Sequence, residues 1–324
     1  MTLGKQHKGI GKLIQLELDR ISAIQPSMEK TPLALRLAFQ RLHFLSWQER
    51  VLLLENIHDM EDFLALGLAE IESFLYRSMH ARPLDMGKIW EQAERDINIL
   101  DRLGARFVCV VDKDYPPLLR EIHRAPFGLF VRGETKALNQ ASVTMVGTRS
   151  PTSRGLYTAQ LLAKETADEG IVIVSGIARG IDAASHRGAI QSGAAATIAV
   201  LPCGPERVYP SSNAALAAKI IDCGGCLVTE YPPGVSLDRY RFPERNRILA
   251  GFSKLTLVVE APEKSGALIT AEIALSEGRD VAVAASCLGS SRNSGADALK
   301  EDGALAIKAG AELVPMIRCE YNGI

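Results

Sequence analysis

The chain has 324 residues and a formal net charge of −1, from 37 Lys and Arg against 38 Asp and Glu; 47% of its residues are hydrophobic. That length accommodates one large domain plus a smaller one, with an ordinary globular composition. The charge balance excludes a polybasic binder, so a nucleic-acid partner would need basic groups gathered locally. No run of about 18 apolar residues reads as a membrane span. Residues 1–12 carry Lys5, Lys8 and Lys12 with no apolar run behind them, unlike a secretory signal. Cys109, Cys203, Cys223, Cys226, Cys287 and Cys319 are too scattered for a disulfide framework, and a reducing, cytoplasmic setting is expected.

The first hundred residues read as helical. Thr31-Pro32 reads as a helix start, Thr31 as N-cap and Pro32 in the first position. Ser46 with Glu49 is a capping box ahead of the apolar run 51–54. Further helices are expected over 61–66, 68–77 and 89–103. Residues 1–104 are therefore expected to form a small all-α domain.

From about residue 105 the pattern changes. Strands are expected at 106–111 and 128–131, then at 143–146, 171–174, 196–201, 226–229, 255–260, 280–284 and 304–308. Helices alternate with them over 152–168, 180–192, 212–222, 244–251, 267–277 and 295–302. Short apolar runs separated by helices predict a doubly wound, mostly parallel sheet in an α/β domain over 105–318. Only a short tail follows, too short for another folded module. Ligands of such sheets sit beyond the carboxyl ends of the strands, which directs attention to four loops.

In the loop after residue 146, Gly147 lets the backbone turn, Thr152 or Ser153 can cap the next helix, and Arg149 and Arg154 with free amides suit a phosphate. It equally reads as a βα turn with solvated arginines, and it lacks the GxGxxG pattern of a dinucleotide site. The second loop carries Ser175, Gly176, Arg179 and Gly180, a second candidate anion cradle. Asp182 and His186 follow one helical turn apart. Two ligand-type groups fall short of a metal site, and the pair reads as a helix-start aspartate with a hydrogen-bonded histidine. The third loop places Arg239, Arg241, Arg245 and Arg247 with Tyr240 and Phe242 within nine positions, guanidinium groups for phosphates and rings for bases. Composition alone reads it as well as a charged surface helix with a buried phenylalanine. In the fourth loop, Glu260 ends a strand and Ser265-Gly266 opens a helix; Glu260 suits a base or a ribose acceptor but more commonly fixes a neighbouring backbone. Cys223-Gly224-Gly225-Cys226 lies at a helix C-terminus, where its glycines read as a cap rather than its thiols as a redox or zinc pair.

Taken in order, several stretches resemble the DprA/Smf family of DNA-processing proteins. They are Asp114–Leu119 (D-Y-P-P-L-L), V-G-T-R at 146–149, S-G-I-A-R-G-I-D at 175–182 with His186, T-I-A-V-L at 197–201, Tyr209-Pro210, F-P-E-R-N-R-I-L-A at 242–250, V-V-E-A at 258–261 and S-G-A-L-I-T-A at 265–271. The resemblance implies an extended Rossmann-like domain preceded by a small SAM-like helical domain. It implies binding of single-stranded DNA, homodimerisation through the Rossmann-like domain, and loading of RecA recombinase during natural transformation. It implies neither a cofactor nor a catalytic residue. Gly147, Thr148, Arg149, Ser175, Gly176, Arg179, Gly180, Arg239, Arg241, Phe242, Arg245, Asn246, Ser265 and Gly266 are the expected DNA- or phosphate-binding set. The chain departs from the family's usual residues at Thr229, at Ala285-Ser286 and at Asp297, toward the half that carries the dimer contacts. A C-terminal winged-helix module and a helix-hairpin-helix signature are not apparent. Two other readings stay open: a nucleotide phosphoribohydrolase-type enzyme using Glu260, whose P-G-G-x-G-T signature is missing, and an interaction scaffold built on the helical region.

Overall fold

The computed structural model describes residues 31–79 and 83–318; Lys5, Lys8, Lys12 and Cys319 lie outside the described residues. Five helices come first among these: α1 (Leu33–Gln40), α2 (Trp47–Leu54), α3 (Met60–Ala65), α4 (Leu68–Leu75) and α5 (Met86–Leu103). The capping box forms as expected, Ser46 accepting from the Glu49 amide and Glu49 from the Ser46 amide. The first helix starts one position later than expected. Pro32 is its N-cap, with an extended ψ of 139° and no side-chain cap, so Leu33 is the first helical residue.

The rest is built on a nine-stranded sheet in the order β1-β2-β6-β5-β4-β3-β7-β8-β9. Its strands are β1 (Ala105–Cys109), β2 (Gly128–Gly133), β3 (Ser142–Val146), β4 (Val172–Ser175), β5 (Thr197–Val200), β6 (Cys226–Thr229), β7 (Leu255–Val258), β8 (Asp280–Ala284) and β9 (Leu305–Ile307). β1 pairs with β2 and β2 with β6 antiparallel; all other pairs are parallel. β1 ends earlier than expected because the chain turns at Asp112, whose carboxylate accepts from the Cys109 amide. The helices are α6 (Pro117–Arg120), α7 (Ser153–Asp168), α8 (Ile181–Ser192), α9 (Ala214–Asp222), α10 (Arg241–Phe252), α11 (Gly266–Ser276), α12 (Ser294–Glu301) and α13 (Leu313–Arg318). Among the described residues no helix is long and apolar enough to cross a membrane.

β3 to β7 are buried on both faces, as strands covered by helices on each side must be. Val143 and Met145 of β3 pack with α7, α8 and α13, whereas Val146 belongs to a cluster with α10 and α11. That second cluster continues into α1 and α2, so the N-terminal helices share a core with the sheet. Polar ties reinforce this contact: Arg36 pairs with Asp112 at 2.8 Å, and Gln40 donates to the Glu230 carbonyl at 2.6 Å. From β3 the chain runs one way through β4, β5 and β6, then returns to the other side of β3 as β7. The crevice at that switch is where ligands of such sheets usually enter.

Candidate nucleic-acid interface

At the switch, Glu260 ties the loop after β7 to the loop after β3. The Glu260 side chain, 1% exposed, accepts from the Thr152 amide at 3.0 Å and the Thr152 hydroxyl at 2.6 Å. Its carbonyl accepts from the Thr148 amide at 2.8 Å. Thr152 in turn caps α7 through the Gly155 amide. A Cβ on Gly155 would collide with Glu260 Oε2, so any larger residue there would have to displace the carboxylate. Glu260 thus fixes the loop after β3, and the reading of it as backbone support fits its contacts.

The loops after β3 and β4 are pressed together. The Ile181 amide donates to the Thr148 carbonyl at 3.2 Å. Gly180 has φ 80° and ψ −126°, and a Cβ there would collide with the Thr148 carbonyl oxygen. Gly147 is equally tight, with Ile181 side-chain atoms 2.5 Å from its would-be Cβ. Ile177 holds a left-handed φ of 52°, supported by Asn213, whose amide donates to the Ile177 and Ala178 carbonyls.

Two residues expected to bind phosphate are committed elsewhere. Ser175 is fully buried and donates to the Met145 carbonyl at 2.7 Å, because the last residue of β4 faces inward. Arg245 is 4% exposed and its Nη1 donates to the carbonyls of Gly176 and Val200, placing the guanidinium under the Gly176 backbone. Burial pulls Arg245 below the usual arginine range, opposed by the neighbouring Asp182 carboxylate. Burial likewise pushes Asp182 up, opposed by Arg245 and by the Ala178 and Gly176 amides. Both side chains therefore build the loops rather than face a ligand. His186 is a core residue, its Nδ1 2.8 Å from Thr197 Oγ1, and burial lowers it to about 3. Among the described residues no group of three or more His, Cys, Asp or Glu is placed to hold a metal ion.

The rim is basic and aromatic, with Arg149 and Tyr209 exposed and Phe242 half-buried. The Arg149 guanidinium lies 5.2 Å from the Phe242 ring centroid, and Tyr209 meets the same ring edge-on at 5.4 Å. Three segments converge here, from the ends of β3 and β5 and the start of α10. Arg179 and Arg239 are also exposed on neighbouring loops. Thr148 spends its hydroxyl on the Ser150 amide, and Asn246 is half-buried on α10. Ser265 caps α11 and Gly266 is exposed at its first position, on the loop after β7 and outside the Arg149–Phe242–Tyr209 cluster. Arg241 points into a different cleft, its guanidinium 4.9 Å from the Tyr231 ring and 5.3 Å from that of Tyr240. Tyr209 stands outside the expected set, although the Tyr209-Pro210 pair on a strand-end loop is its visible signal.

The family model for DNA recombination-mediator protein A matches residues 106–318, well over half of the chain. The chain belongs to this family. Protein Smf of Borreliella burgdorferi is 31% identical over 288 residues, covering 88% of each chain. Protein Smf of Escherichia coli is 39% identical over 200 residues, 62% of this chain and 53% of that one; the chain thus spans about half of that relative. The structure of DNA processing protein A from Streptococcus pneumoniae superposes with a TM-score of 0.71 at 29% identity, covering 90% of this chain and 100% of that one. That of DNA processing protein A from Helicobacter pylori, solved for its single-stranded DNA binding mode, gives 0.58 at 27% identity, covering 65% and 94%.

Proposed function

We propose that this chain binds single-stranded DNA on the rim formed by Arg149, Arg179, Tyr209, Arg239 and Phe242, as a cytoplasmic DNA-processing protein of natural transformation. The observation that carries this reading is the Arg149–Phe242–Tyr209 cluster, a cation beside two rings at the carboxyl ends of the strands. Guanidinium groups neutralise phosphates, and rings offer any base a stacking face. The single-stranded DNA binding of the H. pylori relative supports the same assignment. In this reading the strand is protected and handed to RecA recombinase, the chain acts as a homodimer, and no covalent chemistry is done. Its division into a helical domain to residue 104 and a Rossmann-like domain from 105 belongs to the same proposal.

The test is the double substitution Arg149→Ala, Arg239→Ala, titrated with a labelled single strand. Affinity should fall by roughly tenfold or more, with an unchanged circular-dichroism spectrum. An unchanged Kd would remove both residues from the interface.

A further inference from the structure

A second cleft, of about 730 Å³, opens between the N-terminal helices and the segment around residues 230–247. It falls within the ~300–1,000 Å³ range of small-molecule sites. Neither Arg149 nor Phe242 lines it. Its lining includes Phe44, Trp47 and Tyr240 together with Arg50, Arg124 and Arg247. The two carboxylates on its wall are engaged: Glu230 pairs with Arg247 Nη2, and Glu244 accepts from the Tyr231 hydroxyl at 3.1 Å. Nε and Nη1 of Arg247 are buried without a protein partner, as is Trp47 Nε1. Arg50 donates through Nε to the Leu42 carbonyl and stands 5.5 Å from the Phe127 ring centroid. Among the described residues neither Arg50 nor Arg124 forms an ion pair with a carboxylate. Burial lowers Arg50 to about 10, so it remains a cation at neutral pH. Glu230 offsets Arg50 through space but is itself paired with Arg247, so two buried cations share one carboxylate. That positive excess favours an anionic ligand, and neighbouring rings favour one that is flat.

We propose that this cleft is a second nucleotide-binding site, holding a phosphate against Arg50 and Arg124 and a base among Phe44, Trp47 and Tyr240. A free nucleotide here is independent of the rim site; a nucleotide of a bound strand rests on the single-strand reading above. The nucleotide can be free or can be part of a strand that continues past Tyr240 toward Phe242.

The full chain is titrated calorimetrically with thymidine 5′-monophosphate, with inorganic phosphate and with an oligothymidylate. Saturable binding of the monophosphate, tighter than that of phosphate, is expected. Arg124→Glu, an exposed position, should weaken it by roughly tenfold or more. Arg50→Gln should act in the same direction, and the pair Arg149→Ala, Phe242→Ala should leave it within about twofold. If Arg124→Glu also weakens the oligothymidylate, the strand supplies the nucleotide; if it weakens only the monophosphate, a free nucleotide does. The proposal is overturned by no saturable monophosphate binding, by equal affinity for phosphate, by indifference to Arg124→Glu, or by loss on Arg149→Ala, Phe242→Ala instead. None of those results counts against the rim site, whose own test reads Arg149 and Arg239.

Discussion

Replacing Arg245 by methionine separates a supporting role from a DNA-contacting one. The guanidinium is buried, bonded to the Gly176 and Val200 carbonyls, and faces Asp182. Methionine keeps much of the volume but leaves two carbonyls and a buried carboxylate without their cation. Removing one partner of a buried charge pair costs about 3–5 kcal/mol. At ~2–4 °C per kcal/mol for a domain this size, Tm should fall by ~6–20 °C. Arg149→Ala, at an exposed position, should leave Tm within ~2 °C while weakening single-strand binding by roughly tenfold or more. Differential scanning fluorimetry and fluorescence anisotropy on the same two variants make the comparison. An Arg245→Met protein with unchanged Tm and lost binding would refute the supporting role and return Arg245 to the interface.

His186 has a folded pKa of about 3 against an ordinary 6.5, so acid favours the unfolded state, which takes up the proton. Its contribution to stability is present above pH 6.5 and is lost as pH falls toward 3, by about 2 kcal/mol at pH 5. His186→Gln should flatten urea-denaturation stability across that window, and an unchanged slope would count against it. Gly180→Ala adds a Cβ against the Thr148 carbonyl oxygen at a φ of 80°, and should lower stability by about 1–3 kcal/mol in the same assay. Glu260→Gln exchanges one acceptor oxygen for a donor beside Thr152, so Tm should drop by ~2–10 °C. Chromatography of nucleoside monophosphates incubated with the unmutated protein should show no free base; release that disappears in Glu260→Gln would establish the enzyme reading.

The alternation of apolar runs and helical stretches locates the parallel sheet well, because each buried strand advertises itself locally. The strands expected at 226–229 and 280–284 match residue for residue. The strands expected at 106–111 and 128–131 are both present, but their antiparallel pairing is not legible: β2 finds β6 across nearly a hundred residues, and Gly128 makes room for the Phe107 ring, which no local pattern reveals. The candidate site divides in the same way. Arg149 and Phe242 stand on segments whose composition shows their chemistry, but only the fold brings the two together. Ser175 and Arg245 have the right chemistry and the wrong direction, since neither inward rotamers nor the depth of a strand end can be read from residue type. The 730 Å³ cleft is invisible in the sequence because Trp47 and Arg247 meet in it across about two hundred positions of chain.

The rim should prefer single strands, held by phosphate contacts and stacking. Anisotropy titrations with a labelled single strand and its matched duplex, repeated across a range of salt concentrations, test it most directly. The single strand should bind at least roughly tenfold more tightly at every salt concentration, with log K falling by about 0.7 per log unit of salt for each phosphate engaged. Equal affinity for the two forms, or a single-strand Kd indifferent to salt, would contradict the account.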